Sequence, residues 1–386
     1  MLSFKVANDN GNNEQDMFIN DYAVRQPNVY AKSSFLPNFE ESSTEGVLKD
    51  IHNNLFVTIE GSSYFIGSYA LRSGKPCRSI EVGTDNNKVS SNIVYVNTLA
   101  HIAGEAAKVA YLSEAPIDQQ IEVKVEMATS LPVSYYSKEQ GKIFASKFAN
   151  KAHLVTVYAG AAEISVKIMF DFVKIIPEGV TAAHAFCCHK EYFETYNKIH
   201  SDKITCEFMK TARVLHIAIG EGTTEFPVTY NGLAFDPNFI VGTNNGNGHA
   251  IDRVLIPFQK EFGLRGFTRQ EYSEVLKDET HNYHETAMQF IETALEDEAY
   301  AILSEAKNVI QATHNNISVV CVYGGGSIMM RKALETSLQD FCDRARIKLL
   351  YIDAEDAVML EAVGLNEFVH SDLFQKIKQA TKATKK

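Results

Sequence analysis

Three short polar turns containing glycine each follow an apolar, β-rich segment, and two of them sit inside the same strand–turn–strand arrangement. The first turn, Asp9-Asn10-Gly11-Asn12-Asn13, lies between expected strands Ser3–Asn8 and Met17–Asn20. The second, Gly220-Glu221-Gly222, lies about 210 residues later between Val214–Ile219 and Thr223–Thr229. The third, Gly324-Gly325-Gly326, joins the buried-looking strand Ile317–Val322 to a helical pattern over Ser327–Cys342. A chain that uses one hairpin design in both halves reads as a weak internal duplication within an α/β architecture. Length agrees, because 386 residues exceed the ~250–300 at which a single core stops growing, so two domains are expected.

The remaining segments alternate in the same α/β manner. A hairpin is expected over Asn54–Glu60 and Tyr64–Gly67, and further strands at Ile121–Thr129, Val155–Val157, Glu163–Val173 and Ile347–Ile352. Helical periodicity predicts helices at Ser91–Ser113, Lys138–Ala149, His249–Phe262, Thr268–Leu276 and Glu279–Gln311. From Glu355 to about Thr381 the chain reads as helical, with a break near Gly364.

Charge and cysteine content exclude several classes. Lys and Arg number 37 against 48 Asp and Glu, a net charge of −11, so the chain is no globally basic nucleic-acid binder. No stretch approaches the ~18 apolar residues of a membrane span, and the N-terminus lacks a signal-peptide pattern, so a cytoplasmic, membrane-free location is expected. The six cysteines form no CxxC pair, and reduced, partly buried thiols are the expectation.

Backbone N–H groups of a glycine turn point into one concavity, and the missing Cβ lets the main chain approach a phosphate. Neither a GxxxxGK[ST] nor a GxGxxG run is present, so the two commonest nucleotide fingerprints are absent. Here the ordered set of turns resembles the actin/Hsp70/sugar-kinase superfamily. Its elements are Asp9-Asn10-Gly11-Asn12, then Gly220-Glu221-Gly222-Thr223-Thr224-Glu225, then Val322-Tyr323-Gly324-Gly325-Gly326-Ser327. Thr129-Ser130-Leu131-Pro132-Val133, Phe65-Ile66-Gly67 with Ala70–Gly74, and Ala357–Gly364 add to the resemblance. Within the superfamily the chain looks most like the bacterial plasmid-segregation actins, the ParM-like proteins. Its length, short first hairpin and Val173–Glu178 stretch carry that likeness.

The resemblance implies an actin-like fold of two lobes, duplicated and ribonuclease-H-like, with Mg-ATP or Mg-GTP in the central cleft. Residues 1–180, joined by the returning 356–386, would be lobe I with the first phosphate clamp. Residues 181–355 would be lobe II with the second clamp and the adenosine motif. Asp9 would organise Mg²⁺ through its waters, and Gly11, Asn12 and Asn13 would face the terminal phosphates. Gly220, Gly222, Thr223 and Thr224 would close the opposite side, and Gly324, Gly325, Gly326 and Ser327 would lie beneath the adenosine. Glu178, between Pro177 and Gly179, matches the acidic residue that orients the attacking water; an ordinary loop carboxylate is the competing reading.

Two positions depart from the pattern. The first clamp usually carries Lys seven residues after its Asp, where this chain has Asp16. The second clamp usually reads Asp-x-Gly, where this chain has Ala218-Ile219-Gly220. Natural divergence of a weak ATPase or an Asp→Ala exchange that traps the nucleotide state would each place Ala at 218. Both predict slow hydrolysis with binding retained.

Other polar clusters have plainer readings. Gly246-Asn247-Gly248-His249 could contact phosphate or ribose at a helix start, or could simply cap it. His184 with Cys187-Cys188-His189 reads as a packed interdomain helix, and His281 with His284 as a solvated helical face. The terminus from Lys376 to Lys386 carries five Lys and no acid, and reads as a frayed, solvated helix end.

In function the resemblance implies a filament-forming ATPase that moves plasmid DNA through a centromere-binding adaptor, with self-association head to tail. A small-molecule kinase of the same superfamily, or a nucleotide-bound scaffold with little turnover, are the alternatives.

Overall fold

The computed structural model describes residues 1–37, 43–80, 88–231 and 234–384. Lys385 and Lys386 of the lysine-rich terminus lie outside the described residues. Strands fall into two sheets. The first holds β1 (Leu2–Asn10), β2 (Glu14–Ile19), β3 (Tyr22–Pro27), β4 (Tyr30–Ser33), β5 (Phe56–Ile59), β6 (Ser62–Ile66), β7 (Ile121–Leu131), β8 (Ala152–Ala159) and β9 (Ala162–Pro177). Their spatial order is β3-β2-β1-β7-β9-β8-β5-β6-β4. The second holds β10 (Val214–Ile219), β11 (Thr224–Glu225), β12 (Val228–Tyr230), β13 (Ala234–Phe235), β14 (Gly242–Thr243), β15 (Val319–Tyr323) and β16 (Lys348–Tyr351).

The expected duplication is visible in the pairing. In the first sheet β1 pairs antiparallel with β2 and parallel with β7, and β7 runs parallel with β9. In the second, β10 pairs antiparallel with β11 and β12 and parallel with β15, which runs parallel with β16. In the second sheet the inner strands β10 and β15 are buried at every position, as strands covered on both faces must be.

Helix Asn92–Leu112 is buried on nearly every side against the first sheet, with Ser91 capping its start by accepting from the Ile93 amide. Its buried polar residues anchor the first hairpin. Asn8 donates to Thr98 at 2.8 Å, Gln15 donates to Asn8 at 2.9 Å, and Asn97 donates to Asn28 at 2.8 Å. Helices Asn247–Phe262, His284–Ala312 and Gly325–Ala345 cover one face of the second sheet. Helix Ala182–Cys188 packs on the other face through Ala182, Ala185 and Phe186, as the packed-helix reading expected.

Several expectations need correction. The returning strand Thr223–Thr229 is broken into β11 and β12, because Pro227 has no N–H to donate; its carbonyl instead accepts from His216. Strands β3 and β4 lacked a clear alternating pattern and were not expected. The C-terminal helices break at 358–359 and at Ser371, not at Gly364. Gly364 lies inside helix Leu360–His370 because that helix rests on residues 181–182, where a Cβ would stand 2.0 Å from the Thr181 carbonyl oxygen. His281 precedes helix His284–Ala312 and His284 opens it, so the two share no helical face; His284 Nδ1 donates to the Val275 carbonyl at 3.1 Å.

The terminal helix Asp372–Thr384 is docked, not frayed. Lys378 pairs with Glu126 and Asp171, and Lys382 lies 2.9 Å from Asp171, so acids on β7 and β9 hold the basic face. Although partial burial alone would raise it, those two lysines draw the Asp171 carboxyl down to about 2. Among the described residues no helix is long and apolar enough to cross a membrane.

Candidate functional site

A cavity of about 950 Å³ opens between the two sheets, within the range of small-molecule sites. Both hairpin turns and the triple-glycine turn reach it. Asp9, Gly11, Asn12, Asn13, Glu178, Ala218, Gly220, Thr223, Gly324, Gly325 and Gly326 all line the cavity. Three expected residues do not. Thr224 donates to the Asn245 carbonyl at 2.7 Å, Ser327 donates to the Gly324 carbonyl at 2.8 Å, and the Gly222 carbonyl faces His249 at 3.1 Å. Their polar groups serve the turns from behind.

Each wall is fixed by contacts distant in sequence. Asn28 holds the first turn, donating its side-chain amide to the Gly11 carbonyl at 2.7 Å and its backbone amide to the Asn13 carbonyl at 2.7 Å. Of the three expected turn glycines only Gly324 lies outside the helix, which begins at Gly325; Gly324 sits on the end of β10 with φ +92°, and a Cβ there would lie 2.4 Å from the Ile219 oxygen. The Asn247 side chain, at the start of helix Asn247–Phe262, also lines the cavity, and the Gly248 amide donates to the Glu221 carbonyl at 2.8 Å.

Glu178 is held by three anchors around its backbone. Its amide donates to the Leu131 carbonyl at 2.8 Å, and the next amide, of Gly179, donates to both carboxylate oxygens of Glu361 at 3.0 Å. The Gly179 carbonyl accepts from the Tyr323 hydroxyl at 2.7 Å. Its carboxylate then pairs with Lys88, which is only 4% exposed. Lys88, Glu361, Lys277, Arg25 and Asn28 escaped the sequence reading. None lies in a glycine turn, and only folding brings them there.

The electrostatics are dominated by buried carboxylates. Burial, with the Glu178 charge adding to it, pushes Asp9 up to about 6 while Lys88 opposes the rise. Burial and the Glu14 and Asp9 charges hold Asp16 well above the usual range. Burial pushes Glu221 up to about 7, and burial with the Glu178 charge pushes Glu225 up to about 8. Glu361 rises to about 8 from burial and the charges of Asp9 and Glu178. Against Lys88, burial works to lower its affinity for a proton, but Glu178 and Asp9 outweigh it and raise the ammonium's pKa. At the rim, Lys277 and Arg25 bring Glu14 below its usual value despite burial.

Residues 7–180 match the family described as actin-like proteins, N-terminal domain. Solved structures match almost end to end. The actin-like protein Alp7A superposes with a TM-score of 0.68 at 17% identity, over 99% of this chain and 100% of that one. The archaeal actin homologue Ta0583 in complex with ADP gives 0.61 at 17%, over 95% and 98%. A ParM from Clostridium botulinum, seen in a 15-stranded filament, gives 0.62 at 17%, over 96% and 99%. No curated protein matches the chain. The fold is actin-like.

The cleft of this actin-like fold holds polar groups that the protein itself leaves unsatisfied. The Asn12 and Asn13 side-chain oxygens, one oxygen of Asp16 and both oxygens of Glu225 are buried without hydrogen-bond partners among the described residues. Buried polar atoms are rarely left so, and their concentration around one cavity marks a place for a polar ligand. The cluster around Asp9 offers only oxygen donors, as Mg²⁺ prefers. Among the described residues no three acidic, His or Cys side chains converge closely enough to chelate a bare ion. A cation here would be held through water and ligand oxygens.

Proposed function

We propose that this actin-like protein is a nucleotide-dependent, filament-forming ATPase (or GTPase) of the plasmid-segregating kind. The observation that carries the reading is the pair of clamp turns facing one cavity, with the triple-glycine turn seated against the second clamp. Residues 1–180 with 356–386 would move as one lobe and 181–355 as the other, so nucleotide touching both clamps draws the lobes together.

In that reading Asp9 would receive hydrogen bonds from the cation's waters, and the turn amides at Gly11, Asn12, Asn13 and Thr223 would present donors to phosphate, while the Gly220 amide closes the second turn onto the Thr223 carbonyl and Gly222 and Thr224 support it from behind. Mg²⁺, when bound, neutralises phosphate charge, and the rest of catalysis is positioning. Glu178, held by its backbone anchors and by Lys88, orients water toward the terminal phosphate. Gly324, Gly325 and Gly326 pack beneath the nucleoside, and Ser327 keeps that turn closed. Head-to-tail stacking gives an open filament. Plasmid DNA would be reached through a centromere-binding adaptor in the cytoplasm, consistent with the net charge of −11.

Electron microscopy of the purified protein with and without Mg-ATP or Mg-GTP tests this reading. Filaments that depend on nucleotide are expected; monomers under all conditions would overturn it. Ala218 favours a second reading, a nucleotide-bound scaffold with little hydrolysis, and single-turnover phosphate release separates the two.

A further inference from the structure

The two clamps share a cross-strand register that relocates the carboxylate missing at position 218. Asp9 faces Asp16 across the β1–β2 ladder, and Ala218 faces Glu225 across the β10–β11 ladder. The second pair lies 209 positions after the first at both members, 218 against 9 and 225 against 16. Residues directly opposite in an antiparallel ladder project from the same face with Cβ atoms about 5 Å apart. A carboxylate lost from 218 is thus still present one strand away, on a side chain one methylene longer than Asp.

The state of Glu225 argues that it faces a ligand. It is 2% exposed and lines the cavity, and neither carboxylate oxygen makes a well-formed hydrogen bond among the described residues; Thr223 and the Val133 backbone lie near enough only to oppose part of the rise in its pKa. A buried glutamate that merely filled space would have its oxygens satisfied by neighbours. Glu178 and Lys88, from the first-sheet side of the cleft, are the charged groups that act on it most strongly. Glu225 therefore belongs to the same electrostatic cluster as Asp9.

We propose that Glu225 provides the second clamp's carboxylate to the hydrated divalent cation of the bound nucleotide, in place of a residue at 218. This rests on the nucleotide reading of the cleft. On this view Ala218 is compatible with a working metal–nucleotide site, because the pair 218/225 keeps one carboxylate where the pair 9/16 has two.

Calorimetric titration with ADP, in Mg²⁺ and in EDTA, tests the assignment on the full chain and on Glu225→Gln and Ala218→Asp/Glu225→Gln. Wild type should bind Mg-ADP more tightly than ADP. Glu225→Gln, nearly isosteric, should lose about ten-fold of that Mg²⁺ enhancement while metal-free ADP binding stays within two-fold. The double variant should regain the enhancement, which a merely misfolded Glu225→Gln could not explain. Full enhancement in Glu225→Gln, or loss without recovery in the double variant, would overturn the assignment. Wild type binding ADP equally with and without Mg²⁺ would overturn it and leave the nucleotide reading standing. Absence of any ADP binding to wild type would remove both.

Discussion

Lys277, at the end of helix Arg269–Lys277, reaches across the cleft to Glu14 at the start of β2, with Nζ 2.9 Å from Oε1. One helical turn earlier, Ser273 accepts from the Asn13 side-chain amide at 3.0 Å. The second-sheet side thus brings an ammonium to the clamp whose own expected lysine is Asp16. Lys277→Ala should weaken ADP binding about five- to ten-fold, since a cation beside the phosphates is lost. The pair is partly exposed, so stability should fall by less than about 1 kcal/mol in urea denaturation. Unchanged ADP affinity would separate Lys277 from the ligand.

Tyr323, at the end of β15, is linked to the Glu178 turn through the Gly179 carbonyl, and its hydroxyl also lies 3.3 Å from His216 Nδ1. Removing that hydroxyl leaves buried polar atoms unpaired. Tyr323→Phe should cost about 1–2 kcal/mol and lower phosphate release more than ADP affinity, because the loosened turn is the one carrying Glu178. Equal losses in both would argue for a general packing role.

Gly364 carries helix Leu360–His370 against residues 181–182 and so sets where Glu361 meets Gly179. A methyl group there overlaps the Thr181 carbonyl. Gly364→Ala should destabilise by about 1–3 kcal/mol, measured by urea denaturation. A neutral result would mean that the helix is free to shift.

Histidine burial sets an acid limit. Burial lowers His184 to about 4 and His216 to about 3, well below the ordinary imidazole value. The folded state prefers both neutral, so their stabilisation is complete above about pH 6.5 and is lost as pH falls, when the unfolded chain takes up protons. For His184 the loss approaches about 3 kcal/mol by pH 4. The buried carboxylates with raised values act in the opposite sense, so the informative quantity is a difference. His184→Leu should show a shallower fall of stability between pH 6.5 and 4.5 than wild type; parallel curves would refute the assignment.

Position 218 bears on whether the protein is an ATPase or a scaffold with little hydrolysis. Ala218→Asp restores a carboxylate beside Glu225 and should raise the single-turnover rate of phosphate release about ten-fold. No increase would show that the alanine does not limit hydrolysis.

What the chain's order of residues determined is local. Strand β10 and helix Lys138–Ala149 were legible to the residue, because alternation, helical period and capping act over a few positions. The glycine turns and their duplication were legible for the same reason, and eleven of the expected site residues do reach one cavity. Tertiary structure decided the rest. Lys88 meets Glu178 over 90 positions, Glu361 meets Gly179 over 182, and Lys277 meets Glu14 over 263. No local pattern marks such partners, since each is placed by the packing of segments distant in the chain. Glu225 lay in plain view beside the second turn. Only the ladder register and the burial of its unpaired oxygens distinguish it from a solvated strand residue, because burial makes an unpaired carboxylate costly and thereby informative.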